Sequence, residues 1–199
     1  MVVFFICAEN LEHSGDDHME EGRKNRAVII ANGEIRDIGR IYDVLESFSG
    51  FSSIIISADG GIENTVRLGL TPQVVIGDMD SIDREKYMEG LSGTRFIFAS
   101  RGEDESDTRL AVEYALKEGM GDITIAGGTG KRMDHTFANM LLLASPDLED
   151  VSVRMVTEDS VISCMTRPGT MKGGRGKLVS IFSLTPYTSF VETTGLKYP

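Results

Sequence analysis

The chain has 199 residues, of which 41% are hydrophobic and 26% charged, and this is enough apolar material for a packed core. Its formal net charge of −11 lacks the basic footprint that a nucleic-acid partner requires, and no apolar run reaches membrane-spanning length. The two cysteines, Cys7 and Cys164, form neither a CxxC pair nor a zinc spacing, which favours reduced thiols and a cytoplasmic location.

Residues 1–25 precede the first clear secondary-structure pattern. The apolar run at 1–8 is short and has no basic flank, so it is interpreted neither as a signal peptide nor as an anchor. The polar residues that follow include His13 and His18 among acidic side chains. A flexible leader over residues 1–25 is favoured over a metal site.

From residue 27 onward, β-branched runs alternate with segments of helical periodicity. Strands are predicted at 27–31, 53–57, 74–76, 95–98 and 123–126, and helices at 35–48, 63–68, 84–89, 107–117 and 133–144. The last helix carries Phe137, Met140, Leu141 and Ala144 on one stripe. This alternation predicts an α/β fold with a doubly wound, mostly parallel sheet.

After about residue 150 the helical period disappears. Short β-branched runs follow, separated by glycine and proline turns, at 151–156, 161–165, 177–184 and 189–194. They predict a second, smaller antiparallel sheet domain. The sequence stops at Pro199 without a closing element, so we expect this domain to be cut short.

Acidic clusters stand at the ends of several predicted strands and helices. Asp78 and Asp80 follow an apolar strand, and residues two apart in an extended backbone point to the same face, so both can reach one ligand. Paired carboxylates without a histidine suit Mg²⁺. Asp59 precedes two glycines, and Asp107 begins a helix. Each cluster alone also fits a solvated acidic turn or a favourable first helical turn.

A glycine-rich turn at 127–130 is followed by two cations, Lys131 and Arg132. It is not a Walker A loop or a dinucleotide fingerprint, because Ile125 and Met133 occupy positions that those motifs give to glycine. A turn with free N–H groups beside two cations favours phosphate. In the next helix, His135 is predicted to pack or cap rather than to act as a base.

Together these segments are predicted to bring several carboxylates around one crevice: Asp59, Asp78, Asp80, Asp104, Asp107 and Asp134. Such a group would repel a nucleotide phosphate unless a divalent metal lay between them. The sequence therefore predicts Mg²⁺-dependent transfer of the phosphoryl type.

These motifs resemble those of the thiamine pyrophosphokinase family. The matching segments are ADGG at 58–61, GDMDS at 77–81, Asp104-x-Ser106-Asp107, GGTGKRMDH at 127–135 and TTGLKYP at 193–199. They occur in the expected order between about residue 26 and the end of the chain.

The resemblance implies an α/β ATP-binding catalytic domain at residues 26–148 and a thiamine-binding β-sandwich at 149–199. It also implies a homodimer with thiamine at the interface, and transfer of pyrophosphate from ATP to the thiamine hydroxyl with release of AMP. By the same resemblance, Asp78, Asp80 and Asp107 hold Mg²⁺, and Asp134 joins them in catalysis. The implied ATP and phosphate contacts are Asp59, Gly60, Asp104, Gly128, Thr129, Gly130, Lys131 and Arg132.

The chain departs from the family pattern at three places. Glu103 stands where lysine is common, and Lys131 stands where glycine is usual. The family continues past residue 199 to a last strand near the thiamine, so the acceptor site is expected to be incomplete.

Two other functions remain open. An Asp78-x-Asp80 pair after a strand also marks metal-dependent glycosyltransferases that bind nucleotide sugars. A non-catalytic sensor of nucleotide or thiamine on the same fold is the second alternative.

Overall fold

A computed structural model describes residues 2–7, 25–49, 53–80, 82–99, 105–165, 176–187 and 194–197. The strands in this part of the chain are β1 (Val2–Cys7), β2 (Arg26–Ile30), β3 (Ile54–Ala58), β4 (Val74–Gly77), β5 (Arg95–Phe98), β6 (Asp122–Ala126), β7 (Ser152–Val156), β8 (Ser160–Met165) and β9 (Val179–Ser183). The helices are α1 (Ile38–Ser49), α2 (Gly61–Arg67), α3 (Arg84–Gly90), α4 (Asp107–Lys117) and α5 (Met133–Leu142), with a 3₁₀ turn at Pro146–Leu148.

These strands form one sheet in the order β5-β4-β3-β2-β6-β7-β8-β1-β9. Neighbours from β5 to β7 pair in parallel, and β8, β1 and β9 extend the same sheet in antiparallel fashion. The run Val74–Gly77 is buried throughout, as expected for a parallel strand covered on both faces. The predicted α/β fold with a mostly parallel sheet is confirmed.

Strand β2 contributes to a hydrophobic layer on each face of the sheet. Ala27 and Ile29 pack in the layer that contains α4, whereas Val28 and Ile30 pack with α1. Side chains alternate in direction along a strand, so a wholly apolar strand serves both layers. No helix among the described residues combines the length and the apolar character needed to cross a membrane.

Helix α5 faces the sheet differently from the prediction. Phe137 and Leu141 are exposed, whereas Thr136, Asn139 and Leu142 are buried. Half of the predicted apolar stripe therefore points away from the described core, whereas Met140 packs against that core and Ala144 is buried. The reason is that Thr136 and Asn139 turn inward to bond the backbone of the glycine-rich turn.

The predicted leader at residues 1–25 begins with a strand instead of flexible chain. Val2–Cys7 forms β1 and pairs antiparallel with both β8 and β9. Its sequence, VVFFIC, is rich in β-branched and aromatic residues, which favour strands. Residues 8–24 lie outside the described part of the chain.

The run predicted at 151–156 as the first antiparallel strand is also wrong in its pairing. Ser152–Val156 follows the α5 crossover and pairs in parallel with β6, as a β-helix-β connection requires. The described strands β8 and β9 then continue that sheet through β1. A separate β-sandwich at 149–199 is not confirmed and stays a prediction, since residues 188–193 lie outside the described chain.

Candidate active site

The carboxyl ends of the parallel strands meet along one edge of the sheet. The chain runs outward from β2 through β3 and β4 to β5, and then returns through α4 to β6 on the other side of β2. The strand order therefore reverses between β2 and β6. Open α/β sheets bind ligands outside the strand ends at such a switch point.

Three carboxylates stand together at the ends of β3 and β4. One oxygen atom each from Asp59, Asp78 and Asp80 lies within 4.8 Å of the other two. The buried amide of Met79 donates a 3.0 Å hydrogen bond to Asp59 Oδ1, and both residues have a left-handed backbone, with φ of +56° and +44°. Such a backbone is uncommon outside glycine and is found at functional sites.

Asp107, the first residue of α4, lies beside this group. A Cβ atom at Gly77 would lie 2.7 Å from Asp59 Cβ and 3.1 Å from Asp107 Oδ1, so this close approach requires glycine. Burial, and then the neighbouring carboxylates of Asp59 and Asp78, raise the pKa of Asp107 to about 6. We call Asp59, Asp78, Asp80 and Asp107 the acidic group.

The acidic group fits the predicted magnesium ion. It offers carboxylate oxygens, the ligands that Mg²⁺ prefers in proteins, from two strand ends and one helix start. Asp59 was predicted only as an ATP or phosphate contact, yet it lies with Asp78 and Asp80 in the candidate metal cluster. The cause is tertiary, because parallel pairing of β3 and β4 places their ends side by side.

The glycine-rich turn after β6 is anchored to the segment that follows β2. Gly33 donates its amide to the carbonyl of Gly127 at 2.7 Å, and Glu34 donates to the carbonyl of Thr129 at 2.8 Å. A Cβ atom at Gly33 would overlap both of those carbonyl oxygens. The loops after β2 and β6 are therefore joined by backbone hydrogen bonds at the switch point.

Helix α5 supports the same turn from its other side. Asn139 Nδ2 donates to the Gly128 carbonyl at 2.8 Å, and the Gly130 amide donates to Thr136 Oγ1 at 3.1 Å. The amide of Gly130 is thus already engaged, contrary to the prediction of free N–H groups throughout the turn. Among the described residues, the amides of Gly128 and Thr129 donate no hydrogen bond.

The charged residues after the turn face solvent. Arg132 forms an ion pair with Asp134, and its hydrogen bond to that carboxylate holds the pKa of Asp134 below its usual range. His135 is exposed, with Nε2 3.9 Å from Asp134 Oδ2, so the prediction that it packs or caps is not confirmed. Lys131 is also exposed. Two exposed cations therefore follow the glycine-rich turn directly in sequence.

Asp104, the remaining predicted contact, lies outside the described residues, as does Glu103. The helix that follows is described, and Ser106 caps it by accepting a 3.3 Å hydrogen bond from the Arg109 amide. This cap fixes Asp107 at the first turn of α4.

Several polar residues of the site were not singled out by the sequence patterns. Asn64, Thr136 and Asn139 are buried, and each bonds the backbone of a loop at the switch point. Asn32 lies against Gly60, where a Cβ atom would overlap its side-chain amide. One feature of the sequence could have identified them. Each polar residue on the predicted buried face of a short helix that begins at a glycine-rich turn is a candidate to bond the backbone of that turn.

The sequence is similar to that of known proteins. The family model described as the catalytic domain of thiamin pyrophosphokinase matches residues 45–155, more than half of the chain. Thiamine pyrophosphokinase of Bacillus subtilis (strain 168) is 26% identical over 160 residues, which cover 78% of this chain and 74% of that protein.

Solved structures share the fold. A thiamin pyrophosphokinase family protein from Enterococcus faecalis is 26% identical, with a TM-score of 0.51 over 67% of this chain and 62% of its own. Thiamine pyrophosphokinase from Bacillus subtilis is 24% identical, with a TM-score of 0.56 over 67% of this chain and 61% of its own. The chain spans about three fifths of the length of these structures.

The fold and the acidic strand ends define a doubly wound α/β protein whose site lies at the switch point of its sheet. Within that class, the chain belongs to the thiamin pyrophosphokinase family, a family of transferases. The resemblance stated from the sequence motifs is therefore confirmed.

Proposed function

We propose that this chain transfers the pyrophosphoryl group of ATP to the hydroxyl of thiamine, in a magnesium-dependent reaction that gives thiamine diphosphate and AMP. The observation that carries this proposal is the acidic group beside the anchored glycine-rich turn, in a chain of this family. Phosphoryl-type transfer needs a cation site and a phosphate site side by side, because catalysis depends mostly on positioning and charge neutralisation.

In the proposed reaction, the thiamine hydroxyl oxygen forms a bond to the β-phosphorus of ATP. The bond from that phosphorus to the oxygen shared with the α-phosphate breaks, and AMP leaves with the bond electrons. The hydroxyl proton passes to water or to a carboxylate of the site.

The metal ligands in this proposal are Asp78, Asp80 and Asp107, joined by Asp59. Their crowding supports a divalent cation, because the pKa of Asp107 is raised by burial and by like charges that a cation would compensate. Bound Mg²⁺ would supply the positive charge that neutralises the phosphate oxygens and lets them approach the carboxylates.

The phosphate chain is proposed to bind at the glycine-rich turn. Among the described residues the amides of Gly128 and Thr129 donate no hydrogen bond, which supports an anion there, and Lys131 and Arg132 add positive charge. Arg132 would exchange its carboxylate partner for a phosphate, to which a guanidinium can donate two parallel bonds. Gly60, Gly130 and Asp104 complete the proposed set of ATP contacts, for which the family resemblance is the support.

Asp134 is proposed to orient the attacking hydroxyl. An exposed aspartate is ionised near neutral pH, so it accepts a hydrogen bond well but takes up a proton poorly. This favours a role in alignment of the hydroxyl over removal of its proton.

Thiamine, the acceptor, is proposed to bind at residues 177–199, which we call the tail. The chain is proposed to form a homodimer and to be located in the cytoplasm. Phe182 and Tyr187 are 56% and 92% exposed, and an exposed aromatic ring suits the cationic thiazolium of thiamine. Leu178 is exposed near them in sequence. Exposed apolar groups of this kind support a subunit interface.

The test is AMP formation by the full chain from ATP and thiamine, with and without Mg²⁺. We expect AMP and thiamine diphosphate in equal amounts, and only when both substrates and the metal are present. Binding of both ligands without AMP would favour a sensor. Stronger thermal stabilisation by nucleotide sugars than by ATP would favour a glycosyltransferase that uses Asp78 and Asp80.

A further inference from the structure

The side chain of one buried asparagine in α2 forms hydrogen bonds to the backbone of the segment that follows β2. Asn64 is 5% exposed, and its Nδ2 donates to the carbonyls of Ala31 at 3.0 Å and Gly33 at 2.9 Å. Its Oδ1 accepts a 2.9 Å bond from Arg67 Nη1. Both N–H donors and the carbonyl of the amide are therefore used, which fixes its orientation.

The same segment anchors the glycine-rich turn. Gly33 and Glu34 donate their amides to the carbonyls of Gly127 and Thr129, as described above. Arg67 also bonds this segment, since its Nη2 donates a hydrogen bond to the carbonyl of Ile35 at 3.2 Å. The turn thus rests on a backbone segment whose carbonyls are held by α2.

Helix α2 is also joined to the acidic group. It begins at Gly61, two residues after Asp59, and the Ile62 amide donates to the Asp59 carbonyl at 3.2 Å. Asn64 lies about one turn further along the helix. One short helix is therefore connected to both parts of the site. Asp59 of the acidic group lies just before its first residue, and Asn64 within it bonds the segment to which the glycine-rich turn is attached.

We propose that Asn64 is a positioning residue that fixes the distance between the acidic group and the glycine-rich turn, and so sets the affinity for the nucleotide without touching it. The inference rests on the proposed function, since the ligand whose affinity changes is MgATP. Loss of the amide N–H groups leaves two carbonyls without their donors, and the segment with its attached turn shifts away from the carboxylates.

The variant Asn64→Asp tests this with little change of shape. It keeps an acceptor for Arg67 but turns carboxylate oxygen toward the carbonyl oxygens of Ala31 and Gly33. We expect the KM for MgATP to rise about tenfold or more, because small misplacements of binding groups are costly, while the KM for thiamine stays within about twofold. Glu63→Gln, at the exposed neighbouring position on α2, is the matched control and should leave both values unchanged.

A second variant covers the case in which the buried charge of Asn64→Asp prevents folding. Arg67→Met removes both guanidinium bonds from an exposed position and keeps the side-chain volume. We expect it to raise the KM for MgATP in the same direction, by about twofold to fivefold. The dissociation constant of MgATP, measured by calorimetry on folded protein, should change in parallel.

The possible outcomes separate this inference from the proposed function. A lower kcat with an unchanged KM for MgATP, or equal losses for MgATP and thiamine, would mean that Asn64 has only a structural role. If the parent binds MgATP but forms no AMP, the proposed function fails and the inference is judged on the dissociation constant. A parent without affinity for MgATP would overturn both.

Discussion

At the residue scale, burial and then the crowding of like charges determine how easily Asp107 ionises in the acidic group. Asp107 is half-buried near Asp59 and Asp78, and the energetic cost of ionising it appears as a pKa of about 6. A bound cation removes this cost, whereas loss of one carboxylate removes both the repulsion and a metal ligand. Stability without metal and activity with metal should therefore respond in opposite directions to substitution of Asp107.

The substitution Asp80→Asn tests the metal assignment. Asp80 is exposed at the end of β4, so the fold should remain intact. We expect turnover to fall about a hundredfold or more, because a charged oxygen ligand is lost next to the transferring phosphate. Steady-state AMP formation across a range of Mg²⁺ concentrations measures it, with the exposed Glu85→Gln as the control. Activity within a few-fold of the parent would show that Asp80 is not a ligand.

The raised pKa of Asp107 predicts a pH-dependent stability in the absence of divalent metal. The folded-state value of about 6 exceeds the ordinary value of 3.8, so the folded chain binds the proton more tightly than the unfolded chain. This contribution to stability is therefore complete below about pH 4 and is lost as the pH rises to about 6. We expect Asp107→Asn to flatten that part of the Tm profile measured in a chelator.

Added Mg²⁺ supplies the companion measurement for Asp107. It should raise the Tm of the parent more at pH 7 than at pH 5, because the acidic group is more fully ionised at pH 7. The effect should be much smaller in Asp107→Asn. Parallel Tm profiles for parent and variant, with equal responses to the metal, would contradict the assignment.

Two neighbouring residues after the glycine-rich turn should differ in importance. Arg132 can leave Asp134 for phosphate, whereas His135 is exposed and contacts Asp134 only at long range. We expect Arg132→Ala to raise the KM for ATP and slow turnover, on the order of tenfold each, since a guanidinium binds phosphate with two bonds. His135→Ala should change either constant little. Steady-state kinetics that rank the two variants in reverse order would move the catalytic role to the histidine.

At the scale of elements, the proposed phosphate site depends on close backbone contact between two loops. It contains neither a Walker A loop nor a dinucleotide fingerprint. The loops after β2 and β6 continue the strand pairing beyond the strands, and Gly33 lies against the carbonyls of Gly127 and Thr129. Side chains from α2 and α5 then hold these loops from opposite sides. The phosphate site is therefore built by two helices and two loops together.

A pair of glycine substitutions tests this contact. Gly33→Ala would push a methyl group into two backbone oxygens, and we expect it to lower the free energy of unfolding by about 1–3 kcal/mol and to weaken ATP binding. Gly39→Ala, in α1, meets only a carboxylate oxygen at 3.6 Å and should be neutral or stabilising by about 0.5–1 kcal/mol. Urea unfolding measures both. Equal effects would show that the loop contact is not tight.

At the scale of the whole molecule, segments from both ends of the described chain join at one edge of the sheet. β1 lies between β8 and β9, so the first residues link the tail to the parallel sheet. The exposed residues Phe182 and Tyr187 lie at this end of the fold, while the acidic group lies at the ends of β3 and β4. We therefore propose that nucleotide binding and thiamine binding depend on different parts of the molecule.

Deletion of residues 177–199 tests that division. We expect loss of thiamine affinity and of dimerisation, with retained binding of MgATP, because the strands and helices of the acidic group and glycine-rich turn remain. Calorimetry and light scattering measure these properties, once a cooperative thermal transition shows that the shortened chain folds.

The double variant Phe182→Ser and Tyr187→Ser removes two of the four aromatic rings in residues 177–199, the two that are described and exposed, and keeps strand β9. It should weaken thiamine binding alone. Unchanged thiamine affinity in the deletion would place the acceptor site elsewhere.

The sequence by itself determined the order of the central elements and the motifs that identify the family. Runs such as 74–76 have a single good interpretation because β-branched residues suit a buried strand, and glycine followed by acids marks its end. The predicted bounds of β5 and α4 match the structure. Local propensity was sufficient for these elements because their tertiary surroundings agree with it.

Only the tertiary structure decided which residues meet. Asp59 lies with Asp78 and Asp80 because β3 and β4 pair in parallel, a contact between segments some twenty residues apart that no local pattern encodes. Three other features also depend on contacts between distant segments. Asn64 bonds the loop after β2, Val2–Cys7 lies in the sheet between β8 and β9, and Phe137 faces outward. Periodicity fixes which face of an element is apolar, whereas strand order and close backbone packing fix what each face contacts.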